Sequence, residues 1–151
     1  MFSFLKRKKQ FFSPEEQRLI VTAIQNAERC TSGEVRVYIE SRCSYVDALD
    51  RAIELFAQMG MHATEERNAV LVYVAIKDHQ LAIFGDEGIH RKVGSEYWNE
   101  EVRKMIRDFN RDDYAKGIAG CVEDIGQALQ QFFPYTEKDT NELSDEIQFG
   151  R

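Results

Sequence analysis

An α/β fold, a three-layer sandwich with a small mixed sheet, is what this chain predicts, and three observations predict it. Stretches with apolar residues three and four apart alternate early in the chain with short runs rich in β-branched residues. One of those runs, AVLVYVAI at 69–76, carries no polar break and suits a strand covered on both faces. Helical stretches outnumber strand-like ones, so the sheet is small and helices flank it.

The first helix announces itself by a capping box, Ser13 to Glu16, with Pro14 at the first helical position. Leu19, Ile20, Ala23, Ile24 and Ala27 then form one apolar stripe. TSG breaks the helix, and EVRVYIE alternates Val35, Val37 and Ile39 with polar neighbours, which predicts a strand with one wet face at a sheet edge. A second helix is expected from about Val46 to Met59 with Leu49, Ala52, Ile53 and Phe56 inward. After the central strand, KDHQ fits a tight hairpin into LAIF, so the third strand runs antiparallel to the second. Two helices follow, about Glu96 to Phe109 burying Trp98, Val102, Met105 and Ile106, and about Asp113 to Phe133 burying Tyr114, Ile118, Val122, Ile125 and Leu129. Pro134 stops the last one.

These elements divide the 151 residues into a basic start at 1–12, one domain at 13–134 and an acidic tail at 135–151 expected to be mobile, although its LSDEIQF can dock on a partner or on the body. Lys6, Arg7, Lys8 and Lys9 carry +4 of a net charge of -6, leaving -10 on the remainder. An acidic body repels nucleic-acid backbones, so nucleic acid is not an expected partner. The start MFSFLKRKK sets apolar side chains beside four cations, which makes a membrane-surface adaptor one reading of residues 1–10. No apolar run approaches a membrane span and no cleavable signal follows the basic start, so the expectation is a cytoplasmic monomer. Cys30, Cys43 and Cys121, odd in number and without C-x-x-C spacing, fit reduced thiols.

The chemistry gathers where the third strand ends, in AIFGDEGIH. Asp86 and Glu87 occupy that turn, which argues against a phosphate cradle because such a turn needs bare N–H groups. A right-handed crossover makes the first two strands parallel, and the hairpin then returns the end of the third strand beside their starts. Glu34, Arg67, Asn68, Asp86 and Glu87 therefore meet at one edge, an oxygen-rich cluster suited to Ca²⁺. GDEG reads equally as a structural turn or as a metal turn. Asp112 and Asp113 open the last helix, as an N-cap or as further metal ligands. His90 stands close enough to GDEG to act as an acid or ligand, while His62 and His79 read as solvent-exposed.

Four marks in order, SGE entering a strand, NAVLVYVA, GDEGI and DYAKGI, resemble the TPM domain over about residues 13–134. This family includes a thylakoid-lumen acid phosphatase of plants and many bacterial proteins, and NELSDEIQFG is similar to the tail of its soluble bacterial subgroup. The resemblance implies a Rossmann-like α/β/α domain, metal binding, often Ca²⁺, at loops at one end of the sheet, and acid phosphatase activity in some members. The family's G-x-G mark falls on Gly85 to Gly88, and its dY..G mark on Asp113, Tyr114 and Gly117. The chain lacks a D-x-D pair and a G-x-S-x-G elbow, so neither a phosphoaspartate nor a serine route to phosphate hydrolysis is written in it. The expected function is thus a divalent-metal-binding module, calcium first, held by Asp86, Glu87, Glu34, Asp112 and Asp113, and able to present a surface to a protein partner. The alternative is metal-assisted phosphatase chemistry at Asp86, with Arg67 or Arg111 holding the phosphate.

Overall fold

A computed structural model describes residues 11–44, 47–135 and 147–150. In chain order the elements are α1 (Pro14–Glu28), β1 (Glu34–Glu40), α2 (Ala48–Gln58), β2 (Ala69–Ala75), β3 (Gln80–Gly85), α3 (Glu87–Val93), α4 (Ser95–Phe109), α5 (Tyr114–Phe132) and β4 (Gln148–Phe149). The basic start at 1–10 and residues 136–146 of the acidic tail lie outside the described residues, and with them the readings placed on those segments.

The capping box forms as written: the Ser13 hydroxyl accepts from the Glu16 N–H at 3.1 Å, and Glu16 accepts from the Ser13 N–H at 2.8 Å. The sheet order is β3-β2-β1-β4, with β1 parallel to β2 and β3 antiparallel to it, so the sheet is mixed. Alternation along the strands separates two cores. Val35, Val37, Ile39, Val70, Val72, Val74 and Ile83 meet α1, α4 and α5 on one face, while Leu71, Tyr73, Ala82 and Phe84 meet α2 on the other. This is the expected three-layer α/β/α arrangement.

Two expectations give way. β1 is an inner strand, because Gln148 and Phe149 pair with Tyr38 and Ile39 on its far side. Its terminal acids are accordingly buried, Glu34 at 2% and Glu40 at 5% exposure. Leu19, Leu49, Ile53 and Ile106, expected inward, are exposed at the margins of their stripes. A stripe wider than the face a neighbour covers leaves its flanks in water. Smaller residues fill the closest contacts instead, such as Ala48 and Ala52 of α2.

Candidate functional site

The end of β3 is built by three local constraints. Asp86 continues the ladder by donating its N–H to the Ala69 carbonyl at 2.9 Å, then caps α3 by accepting from the Glu87 N–H at 2.8 Å. The Gly88 N–H donates to the Arg67 carbonyl at 2.8 Å, and a Cβ at Gly88 would lie 2.1 Å from the Glu66 carbonyl oxygen. Only glycine allows this approach. Arg67 itself takes a left-handed backbone, φ 53°, a conformation that costs about 1 kcal/mol or more for a side-chain-bearing residue.

That backbone turn places the guanidinium against Asp86. Nε reaches Oδ2 at 2.7 Å and Nη2 reaches Oδ1 at 2.9 Å, a two-pronged contact with a carboxylate that is only 3% exposed. Nη1 donates to Glu87 Oε1 at 3.1 Å, and His62 Nδ1 lies 3.1 Å from Nη2. Burial alone would push the Asp86 carboxyl up. The hydrogen bonds from Arg67 and the Glu87 N–H, with the nearby positive charge, outweigh it and hold the carboxyl below the usual range.

Of the residues expected to share a metal, Asp86 and Glu87 come together around Arg67. Glu34 sits at the same end of the sheet, where its N–H donates to the Asn68 carbonyl at 3.4 Å. Asp112 and Asp113 do not join them. The α5 C-terminus lies at the Glu34 end, since Ser32 N–H donates to the Phe133 carbonyl and Leu129 packs on Gly33. Asp113, sixteen residues earlier on the same helix, is therefore about 24 Å away at the opposite end. It occupies the N-cap position of α5 without a side-chain cap bond. Arg111, the other proposed phosphate holder, belongs to that far end too. Among the described residues no three His, Cys, Asp or Glu side chains form a group that could hold a metal ion. The five expected ligands therefore do not fit one ion.

His62 is not a bare surface side chain: besides Arg67 it meets the Phe56 ring edge-on at 4.7 Å. His90 accepts at Nδ1 from the Trp98 indole N–H at 3.0 Å. Beside these residues a groove of about 640 Å³ runs along β3, walled by Leu49 of α2 and by Trp98, Asn99 and Val102 of α4.

Sequence reasoning missed two further polar clusters. At the other end of the sheet Glu40 takes Arg51 Nε at 2.9 Å and Nη2 at 3.1 Å and accepts from the Tyr73 hydroxyl. Between α4 and α5, Glu101 is buried beside Asp124, with Lys104 Nζ 3.3 Å from each. The only signal for Glu101 was a charged residue on an otherwise apolar helix face, while Glu40 belongs to the strand face expected to be wet.

The TPM domain model matches residues 5–128. The chain belongs to the TPM domain family. Among solved structures it is similar to the BA42 protein of the psychrophilic bacterium Bizionia argentinensis, at 36% identity and a TM-score of 0.85, covering 94% of this chain and 97% of that one. The N-terminal domains of the cg2496 protein of Corynebacterium glutamicum and of a P. gingivalis protein share the fold. The first has 15% identity, a TM-score of 0.63 and coverage of 79% and 74%. The second has 16% identity, a TM-score of 0.64 and coverage of 82% and 80%. No match is found among curated protein sequences. Within this TPM domain the two family marks have separate duties: Gly85 to Gly88 build the Arg67–Asp86 end, while Asp113, Tyr114 and Gly117 close the α4–α5 hairpin at the other.

Proposed function

We propose that this TPM domain is a binding module rather than a catalyst, and that it presents the groove between α2 and α4 to a protein partner. The observation that carries the reading is the engagement of Arg67 beside an apolar groove. A group that grips phosphate needs donors to spare, yet Arg67 directs its fork to Asp86 and Glu87. Apolar walls with a few fixed polar groups at the end suit recognition. The test is hydrolysis of a chromogenic phosphomonoester with Ca²⁺, Mg²⁺ or Zn²⁺. The expected result is no turnover above that of Asp86→Asn; turnover that the substitution abolishes restores the phosphatase reading.

A divalent ion, calcium first, is the second reading. Arg67 bridges Asp86 and Glu87 at 2.7 and 3.1 Å, so its guanidinium stands where a cation shared by those two carboxylates would sit. An ion has to displace it. Binding at a hundredfold excess over Kd adds about 2.7 kcal/mol of stability. Thermal unfolding in chelator and then in Ca²⁺ therefore decides it: a rise in midpoint that Asp86→Asn removes supports the ion, and no rise removes it.

A further inference from the structure

The groove follows the edge of β3 rather than a face. It is lined by every residue from Leu81 to Asp86, and successive strand residues point to opposite faces, so only the strand's side can present all of them. Its two walls also come from opposite layers, α2 on one side of the sheet and α4 on the other. β3 ends the sheet order, and among the described residues no strand pairs with its outer side.

The ladder fixes which backbone groups face the groove. Asp86 donates to Ala69, and in an antiparallel pair bonded residues alternate, so Phe84, Ala82 and Gln80 turn their N–H and C=O toward β2. Leu81, Ile83 and Gly85 turn theirs outward. An edge of this kind is a template for another strand unless it is blocked by charge, bulge or proline. Leu81 to Gly85 carries none of these.

Charge selects the guest. Asp47 stands at the groove's Leu81 end, because α2 starts near the Glu40 end of β1, to which Arg51 is tied. At the other end Asp86 and Glu87 are already paired, with Arg67 at 2.7 and 3.1 Å and, for Glu87, with Arg91 at 3.4 Å. The groove is thus acidic at its Leu81 end, charge-balanced at its Asp86 end and apolar between, with the ends about 17 Å apart along five strand residues.

We propose that β3 accepts an extended segment of a partner protein as an added strand, one with apolar residues at alternating positions and a lysine or arginine at the end that meets Asp47. This rests on the groove being the binding surface. Main-chain bonds to Leu81, Ile83 and Gly85 give the affinity, and contacts with Leu49 on one wall and Val102 on the other give the choice of side chains.

The test is selection of a displayed library of random decapeptides on the full chain. The expected family has period-two apolar positions with a basic residue at one end. Its synthetic consensus peptide should bind at least tenfold more weakly to Leu81→Pro, whose lost N–H faces outward and serves no bond to β2. N-methylating alternate amides of the peptide should cause a similar loss with the wild-type chain, which keeps the test valid if Leu81→Pro fails to fold. Enriched peptides with helical spacing or acidic flanks, or affinity unchanged by both changes, overturn strand addition. If Val102→Glu still abolishes that binding, the groove stands and only the added strand falls. No enrichment at all, or binding indifferent to all three changes, overturns both. A concentration-dependent dimer in sedimentation that Leu81→Pro dissolves assigns the edge to a second copy and overturns the partner.

Discussion

Asp86 and Glu101 are both carboxylates buried to within a few per cent, at 2% and 3% exposure, and the fold treats them oppositely. Asp86 meets a guanidinium on two atoms and a backbone N–H on its cap, and its proton is held off. Glu101 meets no arginine. Burial first, and then the neighbouring Asp124, push it up to about 7, with Lys104 opposing from 3.3 Å. Burial alone therefore does not decide charge; the partner does. The Asp86 end is a fixed ion pair at neutral pH, while Glu101 titrates in that range.

The largest way to break this contrast is to take the partner from Asp86. Arg67→Met leaves the buried Asp86 carboxylate with the Glu87 N–H and no guanidinium, and should give the largest loss in urea unfolding at pH 7. A loss under about 1 kcal/mol would mean that water reaches Asp86. Asp86→Asn is milder, because asparagine keeps the N-cap and Arg67, itself 39% exposed, can turn to solvent. It should cost about 1–2 kcal/mol. It should also flatten the acid limb of the stability profile. A carboxyl lowered by folding stabilises above its unfolded pKa, and that contribution is lost as pH falls through its folded one.

Glu101 has the opposite sign. A carboxyl raised by folding costs nothing at pH values where both states are protonated, and its penalty grows as pH rises from about 4.5 to about 7. Glu101→Gln should remove that downward slope, a difference on the order of 2 kcal/mol between pH 4 and pH 8. Equal slopes in the two proteins would show that another group titrates. Lys104→Met should have the smallest effect, under about 1 kcal/mol, because Lys104 is 46% exposed and its ion pairs are screened. Its signature is a further rise in the Glu101 pKa, readable by NMR titration.

The contrast also explains what could be read from sequence. The capping box at Ser13, the run at 69–76 and the turn at KDHQ are local signals, and each forms where it is written. So does the meeting of Glu34, Asn68 and Asp86 at one end of the sheet, which follows from parallel β1 and β2 and one hairpin. α3 was illegible because its seven residues bury only Ile89, too little for a period. β4 was legible only as a segment, LSDEIQF, able to dock on the body, because its two residues find a strand 110 positions earlier. At the candidate site GDEG is where Asp86 and Glu87 meet Arg67, whose grip depends on a left-handed backbone that no pattern displays. Asp112 and Asp113 open the last helix, an end that sequence spacing does not place, and fell at the far end of the sheet, since a helix of nineteen residues separates its ends by about 28 Å.

Phe11 stacks on Phe149 with ring centroids 6.4 Å apart, beside the strand that β4 adds to β1. The first and last described segments thus lie side by side, and the covalent order is less fixed than the architecture. Linking the segment after Phe149 to the one before Phe11, and cutting instead at the exposed Asn110–Asp112 connection, should give a circular permutant with the same sheet order and the same groove. The point where synthesis of this fold begins is then a matter of history rather than of packing.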